Sequence, residues 1–462
     1  MRRRGGTTLR PRGGGWGCPM CDARARCASS VAARRSATRR PSPRTLPSMP
    51  LGLPLPPADE HAISASMPLW SDVVGYEEGD TWVHAQLALG YPRFVYHPST
   101  QELFEHLEDT RGDGDEAMVV FPSAAAAGRC QAFVERSLRG LRAHETLDDA
   151  VPRRSRLVPV VEAQAPRRGS FAGAMDLTAV AVPHEHEALL KSYWQHTGEL
   201  ISSRVAGAVL QQLQAAADPA EGAALATEEA SASLCNQLAE LAGGDTQPSD
   251  VYLFQSGMAA IYSAHRLASA LAAARDPAAP LRRSAMFGFP YLDTLKILRQ
   301  PPLSAGAEFF ANGDDRSLRA LRQLLSTPDE AGSQLQAVFT EHPTNPLLQV
   351  PPLAALSEAA ATARIPLIVD DTVGFGHYSL LEGAAEGSAP DVVVSSLSKV
   401  FSGAGNCMGC ATPRALCPCC LSRCLHVCVL VTKGSQELNQ TCDAPPNPIP
   451  LTRPAHAGAR WC

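Results

Sequence analysis

The sequence has no long apolar run and, over most of its length, little cysteine. No stretch approaches the roughly 18 consecutive apolar residues that span a bilayer. The most apolar late segment, residues 424–431, is shorter and contains His426. Of the 14 cysteines, Cys130 and Cys235 alone lie between residues 28 and 406. We therefore expect a soluble, reduced, intracellular protein, and a chain of 462 residues needs no disulfide to form its core.

The first 50 residues lack lysine and glutamate but contain twelve arginines, against the single acid Asp22. This composition is typical of a transit peptide or an unstructured leader at 1–49. Alternatively, the given translation start lies upstream of the true one, which would be Met49 or Met67. Localisation is then expected to be cytoplasmic, or plastid or mitochondrial if the leader is a transit peptide. An RNA-binding arm is disfavoured because Trp16 is the only interleaved aromatic residue. The net charge of −5 gives no reason to expect a nucleic-acid or membrane partner.

Helical and strand patterns alternate from about residue 183. This alternation predicts an α/β fold, a mostly parallel sheet with helices on both faces. An N-terminal region at 50–182 precedes this domain at 183–410, and a cysteine-rich tail follows at 411–462. The predicted helices are 185–195, 201–216, 228–243, 258–275, 316–326 and 352–364, and the predicted strands are 251–255, 284–288, 337–341, 367–370 and 392–395. Ligands of such sheets bind at the carboxyl ends of the strands.

Three of these strand ends carry residues that could bind a ligand or take part in a reaction. The first is Ser256-Gly257-Met258, where a helix begins. Unpaired amides at a helix N-terminus attract a phosphate, although many Ser-Gly pairs only cap a helix.

The second strand ends in Asp370 and Asp371. Such acids could bind magnesium in a nucleotide hydrolase, but the chain lacks G-x-x-x-x-G-K-[ST]. A buried carboxylate can instead keep a ring nitrogen protonated, as pyridoxal phosphate (PLP) requires.

The third strand leads into Ser396-Leu-Ser398-Lys399. A β-lactamase Ser-x-x-Lys motif begins a helix rather than following a strand of valines. The glycines at 403, 405 and 409 do not have dinucleotide-loop spacing. The remaining interpretation is a lysine that binds PLP covalently, with Ser396 and Ser398 at its phosphate.

Together these motifs resemble the Cys/Met-metabolism family of PLP enzymes, in particular cystathionine γ-synthases with an extra N-terminal region. Residues 69–79 and 90–95 look like that region, and the likeness covers about residues 51 to 410. It implies a fold-type-I PLP domain. The segments that carry it are 194–204, 256–260, 287–294, 341–346, 369–372 and 396–403.

The resemblance implies a role for each matching residue. Lys399 would bind PLP covalently and move protons, and Asp370, or failing that Asp371, would pair with the ring nitrogen. The other cofactor contacts would be amides of Gly257 and Met258, hydroxyls of Ser256, Thr372, Ser396 and Ser398, Asn345 near the phenolic oxygen, Phe287 as the stacking ring, Tyr291 as a phenol, and Arg204 at the neighbouring subunit's phosphate. The last contact implies a homodimer or homotetramer with shared sites.

The implied activity is replacement of the γ-substituent of an O-activated homoserine by cysteine, in methionine biosynthesis. A sulfhydrylase, a γ-lyase and a non-catalytic PLP-binding remnant are the alternatives. The remnant is considered because the family's small C-terminal domain, with its substrate-carboxylate arginine, is not recognisable after residue 410. We expect no metal site. For the nine cysteines at 407–462, an out-of-frame tail is favoured over a regulatory tail or a zinc knuckle.

Overall fold

The computed structural model describes residues 49–141, 145, 147–148, 152–160, 176–214, 223–243, 246–275, 282–326, 335–375, 380–381, 389–403, 405–407 and 428–432. These residues belong to one compact unit. Residues 1–48 of the leader and most of the tail at 411–462 lie outside the described residues, as does any zinc knuckle in that tail. No described helix combines the length and the apolarity needed to cross a membrane.

A seven-stranded sheet forms the centre of the fold, in the order β4-β10-β9-β8-β7-β5-β6. Neighbouring strands from β9 to β6 are parallel, and β10 is antiparallel to both of its neighbours. The strands are β4 (Val251–Leu253), β5 (Arg283–Phe287), β6 (Ala307–Phe310), β7 (Leu335–Glu341), β8 (Leu367–Asp370), β9 (Val392–Ser396) and β10 (Cys428–Thr432). The predicted α/β class with a mostly parallel sheet is confirmed.

A smaller antiparallel sheet in the N-terminal region has the order β1-β3-β2. Its strands are β1 (Glu116–Phe121), β2 (Arg156–Pro159) and β3 (Thr178–Pro183). The helices of this region are α1 (Trp70–Glu78), α2 (Thr81–His84), α3 (Pro98–Arg111) and α4 (Ala124–Leu138). Strand β1 is an almost continuous apolar run and is buried along most of its length.

The remaining helices belong to the larger sheet and to its junction with the N-terminal region. They are α5 (Glu187–Thr197), α6 (Ser203–Gln214), α7 (Ala223–Ala242), α8 (Gly257–Arg275), α9 (Leu292–Arg299), α10 (Asp315–Ser326) and α11 (Leu353–Thr362). Short 3₁₀ turns precede α5 and β4. Each helix and strand predicted after residue 183 is therefore present, with ends that differ by a few residues, whereas α9, β6 and β10 were not predicted.

Both faces of the larger sheet are buried. Because successive side chains of a strand point to opposite faces, Met286 and Phe339 lie in one core cluster, whereas Phe287 and Val338 lie in the other. The first cluster contains Met258 of α8 and continues into the N-terminal region, and the second contains side chains of α10 and α11. The sheet is thus covered on both sides, as the continuous apolar strands predict.

Candidate active site

One cavity of about 360 Å³ lies at the carboxyl ends of the larger sheet's strands. The segments that follow β4, β5, β7, β8 and β9 contribute to its wall, together with residues of the N-terminal region. Among its lining residues are Ser256, Gly257, Met258, Tyr291, Asn345, Asp370, Thr372, Ser396, Ser398 and Lys399, which the sequence predicts, and Ile63, Tyr91, Arg93, Glu341 and Cys407, for which it predicts no role. The cavity therefore brings most of the predicted residues together.

The N-terminus of α8 forms one wall of the cavity. Ser256 caps the helix, because its Oγ accepts a hydrogen bond from the Ala259 amide at 3.1 Å and donates one to the Gly198 carbonyl at 2.9 Å. Gly198 has a φ of +67°, and a Cβ there would lie 2.1 Å from the Ser256 oxygen. The capping interpretation of Ser256 is thus correct, and this capped helix end also lines the cavity.

Gly257 and Met258 provide the first backbone amides of α8, and both residues line the cavity. A Cβ at Gly257 would lie 3.0 Å from the Cβ of Ser396, the last residue of β9. Glycine therefore allows the helix end and the strand end to approach closely. Amides at a helix N-terminus beside serine hydroxyls suit a phosphate group.

Asp370 ends β8 and lines the cavity. Its Oδ1 accepts a hydrogen bond from the Thr372 amide at 2.9 Å, and the Thr372 hydroxyl accepts one from the Ser396 amide at 2.8 Å. Burial raises the pKa of Asp370, while the bonds from Thr372 oppose that rise. Asp371 is buried and is not among the lining residues. The structure therefore favours Asp370 over Asp371 as the acid that faces a ligand.

Lys399 follows β9 by a tight turn and lines the cavity. The turn is closed by a hydrogen bond from the Lys399 amide to the Ser396 carbonyl, at 3.3 Å, and by one from the Gly403 amide to the Lys399 carbonyl, at 3.0 Å. Lys399 lies on the same cavity as Asp370 and the amino end of α8. An amine, a half-buried carboxyl group and a helix N-terminus are thus arranged around one space.

Phe287 does not line the cavity, and its predicted role as the stacking ring is wrong. It is the last residue of β5, and strand alternation places its fully buried side chain in the core cluster on the α10 and α11 side. Tyr291, four residues later, is beyond the strand and lines the cavity. Tyr291 is therefore the aromatic residue of this segment that can contact a planar ligand.

Glu341 is a lining residue whose role the sequence analysis missed. Its Oε1 accepts a hydrogen bond from the Tyr291 amide at 2.7 Å, and its Oε2 accepts one from the Asn345 amide at 2.8 Å. It pairs in register with Asp370 across β7 and β8. Burial, together with the charge of Asp370, raises the pKa of Glu341 to about 8. The available signal was its position as the final residue of a buried strand beside another strand that ends in an acid.

Arg204 lies in the first turn of α6 but is not among the lining residues. Its Nη1 donates a hydrogen bond to the Asn406 carbonyl at 2.7 Å, in the segment that follows Lys399. Asn406 in turn donates to Asp59 at 2.6 Å. The structure thus places Arg204 behind the wall formed by Gly405 and Cys407. Its contact with a neighbouring subunit remains a prediction.

The residues present fit PLP. Lys399 would supply an amine for its carbonyl carbon, Asp370 an acid for its ring nitrogen, Tyr291 a ring for its flat face, and α8 with Ser396 an anion site. Within the described part of the chain, no group of histidine, cysteine or acidic residues could hold a metal ion.

Comparison with known proteins also indicates a PLP-dependent enzyme. Residues 99–202 match the family model "Fungal trans-sulfuration enzyme, N-terminal domain", and residues 305–415 match "Cys/Met metabolism PLP-dependent enzyme". A cystathionine γ-synthase of Neurospora crassa is 30% identical over 79% of this chain and 71% of its own length. The cystathionine γ-synthase-like enzyme iboG2 of Amanita muscaria is 32% identical over 78% of this chain and 66% of its own length.

Among solved structures, cystathionine γ-lyase from Lactobacillus plantarum is similar at 20% identity, with a TM-score of 0.30. That match covers 44% of this chain and 42% of the other. The chain spans about two thirds of the length of the two curated relatives given above.

Fold and site define a PLP-dependent enzyme of the α/β class. The chain belongs to the Cys/Met-metabolism family of these enzymes, which confirms the resemblance and the cofactor expected from the sequence.

Proposed function

We propose that the chain is a trans-sulfuration enzyme of the cystathionine γ-synthase type, which replaces the γ-substituent of an O-activated homoserine with cysteine. The observation that carries this proposal is the position of Lys399, Asp370 and the N-terminus of α8 around one cavity. The relatives named cystathionine γ-synthase support the choice of reaction within the family.

In the proposed reaction the Cγ–O bond of the homoserine ester breaks and a Cγ–S bond to cysteine forms. The thiol proton leaves with the released acid, so the exchange needs no oxidant or reductant. When bound, PLP supplies an electron sink that allows protons to leave the substrate's Cα and Cβ. The protein must therefore bind the cofactor, move protons at these carbons and exclude other reactions.

Each role has a residue in the cavity. Asp370 would hold the proton of the ring nitrogen, because a carboxylate enclosed by protein makes a strong hydrogen bond to a charged donor. Lys399 would bind the cofactor's carbonyl carbon through Nζ and later carry protons between the substrate carbons. The amides of Gly257 and Met258 and the Ser396 hydroxyl would bind the phosphate.

A substrate panel tests the proposal. The full chain with PLP is mixed with O-succinyl-, O-acetyl- or O-phosphohomoserine, each with cysteine, with sulfide or with no acceptor, and products are identified by mass spectrometry. We expect cystathionine from one of the esters with cysteine. Homocysteine formed with sulfide, with no product formed from cysteine, would instead identify a sulfhydrylase. Formation of 2-oxobutanoate and ammonia without an acceptor, with no cystathionine formed from cysteine, would identify a γ-lyase.

Lys399→Ala should abolish product formation, because no other amine lies among the cavity's lining residues. The matched control is Lys191→Ala, since Lys191 is exposed on α5 and its ammonium contacts the Tyr96 ring 5.6 Å away. This control should keep the wild-type rate. Undiminished turnover by Lys399→Ala would contradict the proposed function.

A further inference from the structure

Part of the cavity wall comes from a tight turn of the N-terminal region. Hydrogen bonds in both directions between the backbones of Tyr91 and Val95, at 3.0 and 2.8 Å, close this turn. Arg93, near its tip, has a φ of +67°, a left-handed conformation that is strained for a residue with a side chain. Strained backbone is common where a side chain is held in place for function. Here the held side chain is an arginine that lines the cavity.

The Arg93 guanidinium is largely buried and makes three hydrogen bonds. Its Nη1 donates to the Gln195 carbonyl at 2.8 Å and to Oδ2 of Asp293 at 2.9 Å. Its Nη2 donates to the Tyr291 hydroxyl at 2.6 Å. The flat, branched guanidinium allows these bonds to form at once, which a lysine ammonium on a flexible stem does less well.

Tyr291 is consequently held at both ends. Its amide donates to Glu341 at 2.7 Å, and its hydroxyl accepts the bond from Arg93. The guanidinium carbon lies 5.6 Å from the centre of the Tyr291 ring. These two contacts hold the ring in one orientation at the cavity wall.

We propose that Arg93 is a positioning residue of the PLP site, which holds the Tyr291 ring in the orientation that contacts the cofactor. This inference rests on the proposed function only in its choice of cofactor, which the family also supplies. It assigns to the N-terminal region an indirect part in cofactor binding, through the Tyr291 ring.

Direct binding of a substrate carboxylate is the competing role for a buried arginine in a cavity. The contacts of Arg93 argue against it. Asp293 already lies against the guanidinium and also accepts a hydrogen bond from Lys296 at 2.9 Å, so a carboxylate partner is present. Burial raises the pKa of Tyr291, and the neighbouring Arg93 charge opposes that rise. Arg93 therefore affects the pKa of the Tyr291 hydroxyl as well as its position.

A double-mutant cycle tests the proposal on the full chain. Arg93→Lys, Tyr291→Phe and the double variant are compared with wild type for PLP affinity, by absorbance titration, and for the circular dichroism of bound PLP. We expect each single change to weaken PLP binding by about tenfold, the scale of one hydrogen bond to a charged group, and to alter the dichroism band. The double variant should be no weaker than Tyr291→Phe, because Arg93 acts through the hydroxyl.

Additive losses would overturn the inference, because Arg93 would then act through Asp293 or Gln195 independently of Tyr291. Unchanged affinity and dichroism in Tyr291→Phe would overturn it as well. That variant retains the bonds from Arg93 to Asp293 and Gln195, so it remains informative if Arg93→Lys fails to fold. The matched control is Arg322→Lys, since Arg322 is exposed on α10 and pairs with Glu358. It should leave PLP affinity unchanged.

These readouts need no substrate, so they separate the inference from the proposed reaction. A chain that forms no product from any homoserine ester but shows the coupled effect would contradict the reaction and support the role of Arg93. A chain that makes cystathionine and shows additive effects would do the reverse.

Discussion

Glu341 shows at the level of one residue how the cavity wall is held together. Its two carboxylate oxygens accept hydrogen bonds from amides in two separate segments, those of Tyr291 and Asn345. Glu341 also pairs in backbone register with the acid Asp370 on the next strand. Two neighbouring acids, one of them buried, are unfavourable when both are ionised.

This arrangement predicts a pH-dependent stability for the cofactor-free chain. The pKa of Glu341 is raised to about 8 from a reference value of 4.5, so the folded state favours the protonated carboxyl. Its stabilising contribution is therefore complete below pH 4.5 and is lost as the pH rises towards 8. Glu341→Gln removes this titration but also removes an acceptor for one amide. We expect the variant to unfold at lower urea than wild type at pH 5.5, with a gap that narrows towards pH 8.5.

The matched control for this prediction is Glu358→Gln, because Glu358 is exposed on α11. Its urea midpoint should follow that of the wild type across the pH range. A constant gap between wild type and Glu341→Gln from pH 5.5 to 8.5 would contradict the prediction.

Single residues were predictable where they follow a strand directly. Asp370 and Lys399 come at or just after the ends of apolar strands, and the structure places both on the cavity. Phe287 was assigned to the cavity from motif likeness, but strand alternation directs it into the opposite core. Arg93 was not predicted, because its partners Tyr291 and Asp293 are 198 and 200 residues away in the sequence and only the tertiary fold brings them together.

At the scale of elements, the site depends on the close approach of α8 to the end of β9. Gly257 allows this approach, because a Cβ there would lie 3.0 Å from that of Ser396. Gly257→Ala should therefore separate the helix end from the strand end by a few tenths of an ångström. We expect overpacking to cost about 1–3 kcal/mol, expressed mainly as weaker PLP binding, since the displaced amides are those of the anion site.

Gly128→Ala is the control for this substitution. Gly128 lies within α4, and nothing is within 4 Å of a Cβ built there. The alanine should raise the free energy of unfolding by about 0.5–1 kcal/mol through helix propensity and leave PLP affinity unchanged. Equal effects of the two substitutions on PLP affinity, measured by titration, would contradict the role given to Gly257.

The elements themselves were largely predictable because their apolar patterns are strong. Strand β8 has its predicted bounds, and the alternation of helix and strand gave the parallel sheet. Strand β6 was missed because its four residues include an acid and are only half-buried. Strand β10 lies in the segment assigned to the tail, and its place between β4 and β9 depends on long-range pairing that no local pattern indicates.

At the scale of the whole molecule, the N-terminal region and the larger sheet share one hydrophobic cluster. It includes Leu103 of α3, Tyr193 of α5, Met258 of α8 and Val394 of β9. Ile63, Tyr91 and Arg93 then extend the same region to the cavity wall. The site is therefore formed by the N-terminal region and the larger sheet together. We expect cofactor binding to require both regions to be folded.

Borohydride trapping of PLP tests the central claim most directly. The full chain is mixed with PLP, reduced, digested and analysed by peptide mass. The sequence contains four lysines, Lys191, Lys296, Lys399 and Lys433, so peptide mass can assign the labelled position. The account predicts a pyridoxyl group on the peptide that contains Lys399 and little on the others. An unmodified Lys399, or equal labelling of Lys191 and Lys296, would contradict the assignment of this cavity as the PLP site.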